Sequence, residues 1–190
     1  VMLYQMSRMQ SESLLVAMNE LSNHDHSRFL TRTNRMVGRI ATSGSEAAGI
    51  NTDEAIFKQG VVMQMTLPGA PTIYYGDEAG VCGWTDPDNR RTYPWGRENL
   101  ELIEFYREAI CIHKQNQVLK TGSYLPLLWE KDLLCYGRFD EEDAILTVVN
   151  TSDEPKTITP SVYMLGSEDG TVWERLIETN REFYNCGRIK

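Results

Sequence analysis

The hydrophobic pattern of this chain changes near residue 120, and no other feature constrains its fold as strongly. Before that point, apolar residues recur at helical spacing in two long stretches. After it, short runs of β-branched and aromatic residues alternate with acidic or glycine-containing turns. We therefore expect two domains, a helix-rich one over residues 1–119 and an antiparallel all-β one over residues 120–190.

The helix-rich domain contains two strong helices separated by a short strand. We predict a first helix from Asn51 to Leu67, since Asn51 and Glu54 have the spacing of a capping box. The run "TIYY", from Thr72 to Tyr75, suits a fully buried strand. A second helix is predicted from Asn99 to Lys114, with Ile103, Tyr106 and Ile110 on its buried face.

The segments before the first helix are less regular. The first residues have the spacing of a Met-rich helix, so we expect the chain to be a piece of a longer protein, and they show no signal-peptide pattern. The run "LLVAMNEL" fits either a further helical turn or a short buried strand. Residues 31–50 are rich in Thr, Asn, Ser and Gly and are predicted to form a long surface loop.

The second domain contains six candidate strands. Three runs are strong, and the acidic segments "EKD" and "DEED" are typical of hairpin connections between them. Three later runs are weaker. In chain order the runs are "SYLPLLW", "LLCYGRF", "AILTVVN", "KTIT", "TVWERLI" and "EFYN".

Composition excludes several classes of partner. The net charge of −8 repels phosphate backbones and anionic membrane surfaces, and no apolar run is long enough to cross a bilayer. We expect neither nucleic acid nor a membrane as partner. The four cysteines are far apart without CxxC pairing, which argues against a zinc site or a disulfide framework and favours a cytoplasmic protein.

The stretch Asn23-His24-Asp25-His26 contains the side chains best suited to catalysis or metal binding. In an extended backbone both imidazoles would point to one side, a spacing that a metal can use. A transition-metal site needs three or four ligands, and the remaining histidine, His113, lies in a predicted helix. From these residues alone a polar turn is favoured over a metal site.

The order of motifs along the chain carries further information. "ELSNHDHSRF", a helix, "LPGAPTIYYGDE", "DPDNRRTYPW", a second helix and a β-domain follow one another. This order resembles the carboxyl-terminal part of the alpha-amylase family of glycoside hydrolases, in the branch of neopullulanase, cyclomaltodextrinase and maltodextrin glucosidase. The resemblance implies an α/β part, the last two βα units of a (β/α)8 TIM barrel, followed by an all-β part, a carboxyl-terminal antiparallel β-sandwich.

The resemblance also assigns roles to five residues. It implies that His24 and Asp25 are catalytic residues that grip the sugar hydroxyls beside the reacting carbon. Asn23, Asp86 and Arg90 would bind substrate. Without the resemblance, Asp86 and Arg90 are equally well explained as an ion pair that stiffens their loop. The substrate would be an α-glucan such as maltodextrin, cyclodextrin or a pullulan-like polymer.

In the family, the nucleophile and the acid/base come from strands that precede the segment matched here. The resemblance therefore implies that the 190 residues alone are inactive. We interpret Glu20, Asp77 and Glu78 as structural or pocket-edge groups, and Arg28 as a partner in an ion pair that braces a loop. We expect no cofactor and no metal. A homo-oligomer is possible.

Two alternatives remain open for the function. The chain could be a non-catalytic module that binds glucan or a partner chain, or, more weakly, a small metal hydrolase that uses the two histidines and Asp25. Most aromatic residues are predicted to be structural. We expect a core position for Tyr74, Tyr75, Trp129 and Trp173, and packing of a loop onto its domain for Trp84, Tyr93 and Trp95. Stacking on sugar rings is the alternative for Trp84, Tyr93, Trp95, Trp129 and Trp173.

Overall fold

The computed structural model describes residues 2–179. The chain divides into two compact units. The first, here called the motif unit, consists of Met18–Gln64 and Pro71–Cys111. The second, here called the sheet unit, consists of Val1–Ala17, Met65–Ala70 and Ile112–Lys190.

The described residues form seven helices, five strands and three short 3₁₀ turns. In chain order the helices and strands are α1 (Met2–Met6), α2 (Ser11–Leu15), β1 (Met18–Glu20), α3 (Phe29–Arg32), α4 (Ile40–Ser43), α5 (Glu54–Thr66), β2 (Ala70–Thr72), α6 (Leu100–Gln115), α7 (Gln117–Thr121), β3 (Ser123–Glu130), β4 (Leu133–Phe139) and β5 (Ala144–Asn150). The 3₁₀ turns are Glu46–Gly49, Asp88–Arg90 and Tyr163–Leu165. The run "LLVAMNEL" contains both predicted elements one after the other, because α2 ends at Leu15 and β1 begins at Met18. The strand is not buried as predicted, since Met18 is 64% exposed.

Helix α5 is confirmed, but the predicted capping box at its start is wrong. The helix begins at Glu54, and the amide of Ile56 donates to Asp53 Oδ1 at 3.0 Å, so Asp53 is the N-cap. Asn51 has a φ of 56°, a left-handed conformation that lies outside the helix. The carboxylate of Glu54 instead accepts a hydrogen bond from Asn99 Nδ2 at 2.9 Å.

Helix α6 is also confirmed, with nearly the predicted bounds. Its N-cap is Asn99, whose Oδ1 accepts the amide of Leu102 at 3.1 Å. Tyr106 is buried as predicted, whereas Ile103 and Ile110 are half-buried. The buried face is formed by Leu102, Phe105, Tyr106 and Ala109.

The strand predicted for "TIYY" is wrong. Strand β2 ends at Thr72 and pairs with β1 alone among the described residues. The chain then turns: the amide of Asp77 donates to the carbonyl of Tyr74 at 3.1 Å, and Gly76 has a φ of 86°. Because no strand of residues 2–179 flanks residues 73–75, the backbone forms this turn instead of continuing the ladder.

The predicted loop over residues 31–50 contains more local structure than expected. It includes the end of α3, helix α4 and one 3₁₀ turn. Trp84 is 1% exposed, and its indole N–H donates to the carbonyl of Gly44 at 3.0 Å. This bond fixes the middle of the loop within the motif unit, as the prediction of a loop-packing role for Trp84 requires.

The sheet unit contains a three-stranded antiparallel sheet in the order β3-β4-β5. The three strong runs of the sequence match these strands almost residue for residue. Helix α7 packs Val118 and Leu119 against Ile145 of β5, with Ile112 at the edge of the cluster. Arg138 of β4 is fully buried and donates to two carbonyls, that of Thr66 at 3.0 Å and that of Gly122 at 2.9 Å.

Two of the three weaker strand predictions in the sheet unit are wrong. Residues 156–159 and 171–177 form no strand, and residues 182–185 lie outside the described part of the chain. The described part therefore holds one antiparallel sheet here and supplies no second layer for a sandwich. Trp129 is 54% exposed and Trp173 is half-buried, so the prediction of a core position is wrong for Trp129.

Candidate active-site residues

The turn over residues 23–26 follows strand β1 in the motif unit. The side-chain oxygen of Asn23 accepts the amides of Asp25 at 2.9 Å and His26 at 3.2 Å. Its Nδ2 donates to Glu20 Oε1 at 2.5 Å. Asn23 thus shapes the backbone of the turn, in the manner of an Asx turn.

His24 and Asp25 project from this turn into solvent. His24 Nε2 lies 3.3 Å from Asp25 Oδ1, and the two side chains are 59% and 70% exposed. An imidazole N–H and a carboxylate side by side present a donor and two acceptor oxygens to an external ligand.

Asp86 and Arg90 form the loop ion pair that the sequence suggested. The guanidinium Nε of Arg90 donates to Asp86 Oδ1, and both side chains are about half exposed. This hydrogen bond is the main reason why the pKa of Arg90 is raised, and the negative charge of Asp25 acts in the same direction. The two motifs are joined by hydrogen bonds, since Nδ2 of Asn89, the residue before Arg90, donates to the carbonyls of His24 and His26 at 2.8 Å.

Arg28 is fully buried and braces the loops behind the turn. It forms an ion pair with Asp77 at 3.0 Å, as the sequence predicted, and donates to the carbonyls of Tyr75 at 2.6 Å and Asn89 at 2.8 Å. Its guanidinium lies 4.0 Å from the ring centroid of Tyr74. The predicted core role of the two tyrosines is wrong, since Tyr75 is 42% exposed and Tyr74 is half-buried against this cation.

Asp77 is a buried structural carboxylate. Burial raises its pKa, while hydrogen bonds from Ser22 and Arg28 and the charge of Arg28 act in the opposite direction. The structural interpretation of Asp77 is confirmed by this pairing. Glu20 is likewise engaged with Asn23, and one carboxylate oxygen of Glu78 is buried without a hydrogen-bond partner in the described part of the chain.

Asn89 was missed by reasoning from the sequence. It is fully buried in the 3₁₀ turn Asp88–Arg90, and its Nδ2 approaches the carbonyls of Asn23 at 3.3 Å, His24 at 2.8 Å and His26 at 2.8 Å. The one signal in the sequence that pointed to Asn89 was an uncharged side chain between the two charged residues Asp86 and Arg90. Its burial depends on tertiary contacts that local spacing does not encode.

Two aromatic residues near the second motif differ in exposure. Trp95 is 81% exposed, and its ring centroid lies 4.5 Å from that of the half-buried Tyr93. The prediction that Trp95 packs its loop is therefore wrong. The pair instead offers an apolar ring to solvent, a surface suited to stacking.

The described residues contain no group of three or more His, Cys, Asp and Glu side chains that could hold a metal ion. The metal-hydrolase alternative therefore gains no third ligand there. A cavity of about 460 Å³ lies elsewhere, in the sheet unit, lined by residues that include Asp140–Asp143, Leu165 and Trp173. None of the five candidate residues lines it. The chemistry of the motif unit, rather than cavity size, identifies the candidate site.

Comparison with known proteins decides the family. Residues 2–109 match the alpha-amylase family, described as alpha amylase, catalytic domain. The chain belongs to the alpha-amylase family. The resemblance drawn from the motif order is confirmed, including the neopullulanase-like branch.

Three curated relatives illustrate the branch within the alpha-amylase family. An amylopullulanase of Thermoanaerobacterium saccharolyticum is 34% identical over 188 residues, covering 90% of this chain and 14% of the relative. A cyclomaltodextrinase of Thermoanaerobacter pseudethanolicus and neopullulanase 2 of Thermoactinomyces vulgaris are each 34% identical, covering 75% and 74% of this chain and 22% of each relative. The chain thus spans less than a quarter of the length of each.

Solved structures agree with this family assignment. The debranching enzyme of Nostoc punctiforme superposes with a TM-score of 0.72 at 27% identity, covering 90% of this chain and 32% of that one. A cyclomaltodextrinase superposes with a TM-score of 0.64 at 31% identity, covering 77% and 23%. The family fold, a TIM barrel with a carboxyl-terminal domain, is therefore the context of this chain. No described helix is both long enough and apolar enough to cross a membrane.

Proposed function

We propose that the motif unit forms one side of the active site of a retaining α-glucan glycoside hydrolase. His24 and Asp25 contact the sugar whose bond is cleaved, and Asn23, Asp86 and Arg90 bind the substrate around it. The substrates are maltodextrin, cyclodextrin or pullulan-like glucans, in line with the names of the relatives. The observation that carries the proposal is the proximity of the two polar motifs: Asn89, the residue before Arg90, donates through Nδ2 to the carbonyl of His24 at 2.8 Å.

The chemistry of glycoside cleavage explains these residue types. The reaction passes through a transition state with oxocarbenium character, in which the ring flattens and its hydroxyls must be held more tightly than in the ground state. The carboxylate of Asp25 can accept hydrogen bonds from two adjacent hydroxyls, and the imidazole of His24 can donate one. Hydrogen bonds to a charged group are roughly twice as strong as neutral ones, so they can favour the distorted ring.

Asp86 and Arg90 would act on a neighbouring sugar. Each is about half exposed, so hydroxyl groups can reach them without breaking a buried contact. The guanidinium presents donors and the carboxylate presents acceptors, which together match the two faces of vicinal hydroxyls. Besides its contact with the substrate, Asn23 would hold the turn, because both ends of its amide are bonded within the motif unit.

We further propose that the nucleophile and the acid/base lie outside these 190 residues, and that the chain alone does not hydrolyse glycosides. In support, three carboxylates around the candidate site are already engaged: Asp77 by Arg28, Asp88 by Arg91 and Glu20 by Asn23. The same proposal assigns residues 1–119 to the last two βα units of the barrel and residues 120–190 to the β-domain that follows it. A cytoplasmic location is consistent with the free thiols of Cys82, Cys111 and Cys135.

Glucan binding by the 190-residue chain tests the proposed site. We expect measurable binding of maltohexaose without release of reducing sugar. Asp25→Asn and Arg90→Ala should each weaken the binding about tenfold, the loss expected for a charge-assisted hydrogen bond. Arg107→Ala removes another exposed ion pair, that with Glu104, and serves as the matched control with unchanged affinity. Binding that is insensitive to Asp25 and Arg90 would refute the proposed site.

The exposure of Trp129 favours a second candidate function, a non-catalytic glucan-binding module. Trp129 lies on β3 opposite Leu134 of β4 and is 54% exposed, so its ring is open to stacking on a sugar. In that case Trp129→Ala would abolish maltohexaose binding, while Asp25→Asn and Arg90→Ala would leave it unchanged.

A further inference from the structure

One buried amide connects the two motifs of the candidate site. Asn89 has no exposed surface, and its Nδ2 is directed at three backbone carbonyls of the turn over residues 23–26. An amide nitrogen has two protons, so the short contacts to His24 and His26 take one each and the longer contact to Asn23 is shared. All the donor capacity of this side chain is spent on the turn.

The backbone of Asn89 is fixed from the opposite direction. Its carbonyl accepts the Nε of Arg28 at 2.8 Å, and Arg28 is held in turn by Asp77. The amide of Arg28 donates to the carbonyl of Gly83 at 2.9 Å, and a Cβ on Gly83 would lie 2.4 Å from the carbonyl oxygen of Asp88. The 3₁₀ turn is therefore packed closely against the chain that follows His26.

The residue that follows Asn89 is exposed, whereas Asp88 before it is buried. Arg90 follows it directly and forms the exposed pair with Asp86, while Asn89 itself faces the buried side of the turn. A shift of Asn89 would therefore change two things together, the presentation of His24 and Asp25 and their separation from Arg90.

We propose that Asn89 is the positioning residue that sets the backbone of residues 23–26, so that His24 and Asp25 and the Asp86–Arg90 pair face one ligand. This inference rests on the proposed function for the identity of the ligand, an α-glucan. The effect of Asn89 on the turn does not depend on that function, because it follows from hydrogen bonds of the side chain to backbone carbonyls alone. Asn89 touches no substrate and acts through the turn.

The test compares Asn89→Ala with a control of similar stability loss. Asn99→Ala removes the N-cap of α6 in the same motif unit and leaves the three carbonyls of the turn untouched. Asn89→Ala should accelerate exchange of the Asp25 and His26 amides about tenfold, the equivalent of one lost hydrogen bond, and Asn99→Ala should leave both at the wild-type rate. These amides are bonded to Asn23 Oδ1, so their exchange reports the turn itself.

A second readout separates the inference from the proposed function. Maltohexaose should bind Asn89→Ala more weakly than wild type, about tenfold, and bind Asn99→Ala with wild-type affinity. If wild type binds no maltohexaose but the Asn89→Ala turn loosens selectively, the positioning role stands and the proposed function falls. If both variants give the same exchange rates in the turn, the positioning role is overturned, whatever the affinity. Should Asn89→Ala fail to fold, Asn89→Ser gives the same comparison.

Discussion

At the scale of single residues, the motif unit depends on a buried cation. Arg28 is fully buried and Asp77 is 2% exposed, so each depends on the other for compensation of its charge. Removing one partner of a buried pair leaves an uncompensated charge away from water, which costs far more than the pair contributes when intact. The residues that hold the candidate site are therefore more critical for stability than those that face solvent.

Asp77→Ala is expected to lower the free energy of unfolding by about 3–5 kcal/mol, because Arg28 would stay buried without its counter-ion. Urea unfolding at neutral pH measures this loss. Glu104→Ala, which breaks the exposed pair with Arg107, is the control and should cost less than about 1 kcal/mol. Equal losses in the two variants would mean that Arg28 does not depend on Asp77.

The sequence predicted the ion pair of Asp86 with Arg90, which the structure confirms, and missed a buried residue that carries no motif. His24, Asp25, Asp86 and Arg90 were selected from the motif order, and the ion pair of Asp86 with Arg90 follows from their spacing of four residues. Asn89 was missed because its three carbonyl partners lie more than sixty residues away in the chain. Local spacing carries no information about such a contact.

At the scale of elements, the start of α5 shows how two similar polar residues can exchange roles. The sequence favoured Asn51 as the cap, but Asn51 adopts a φ of 56° and Asp53 caps instead. The amide of Asp53 donates to Thr33 Oγ1 at 2.7 Å, and this tertiary bond helps to fix the register of the cap. Competition between two candidate caps is decided by contacts outside the helix.

Asp53→Ala should therefore lower the free energy of unfolding by about 1 kcal/mol, the usual effect of a lost N-cap. Asn51→Gly should leave stability unchanged or raise it slightly, since glycine adopts positive φ without a steric penalty. Thermal or urea unfolding of both variants checks the assignment. A larger loss of unfolding free energy from Asn51→Gly than from Asp53→Ala would contradict Asp53 as the N-cap and favour the capping box of Asn51 and Glu54.

Whether a strand could be predicted from the sequence also depends on whether its pairing partner is close by or distant in the chain. Strands β3, β4 and β5 were predicted almost completely, because each pairs with its neighbour through a short connection and both strand and turn signals are local. "TIYY" has equally strong strand propensity but no partner beyond Thr72 among the described residues. A strand exists only where a second backbone satisfies its hydrogen bonds.

The central strand β4 also makes stability depend on pH. Cys135 is fully buried between β3 and β5, and burial raises its pKa from 9.0 to about 11. In the unfolded chain the thiol loses its proton near pH 9, whereas in the folded chain it keeps the proton to about pH 11. The folded state thus binds more protons in this window, and its stability falls as the pH rises through it.

Cys135→Ala should remove the contribution of this thiol to the loss of stability between pH 9 and 11. The unfolding free energy of the variant should therefore decline less steeply with pH than that of wild type. Cys111→Ala, at an exposed cysteine, is the matched control and should decline as wild type does. Urea unfolding at a series of pH values in this window compares the three chains. An unchanged slope in Cys135→Ala would show that the Cys135 thiol makes no contribution.

At the scale of the whole molecule, the sequence was sufficient for the family and insufficient for the second layer of the β-domain. The family followed from the order of four motifs, and residues 2–109 match its catalytic domain. The expected sandwich required strands at residues 156–159 and 171–177, which remain irregular. Weak runs without fixed turns leave strand pairing undetermined, whereas an ordered set of motifs constrains the whole topology.

The proposed function requires that Asn23–Asp25 and Asp86–Arg90 form one glucan-facing surface. Chemical-shift mapping of the isotopically labelled 190-residue chain during titration with maltohexaose tests this most directly. We expect the largest changes at His24, Asp25 and Arg90, rising together along one binding curve. Changes confined to the sheet unit around Trp129 and Trp173, or separate curves for the two motifs, would contradict a shared sugar-binding surface.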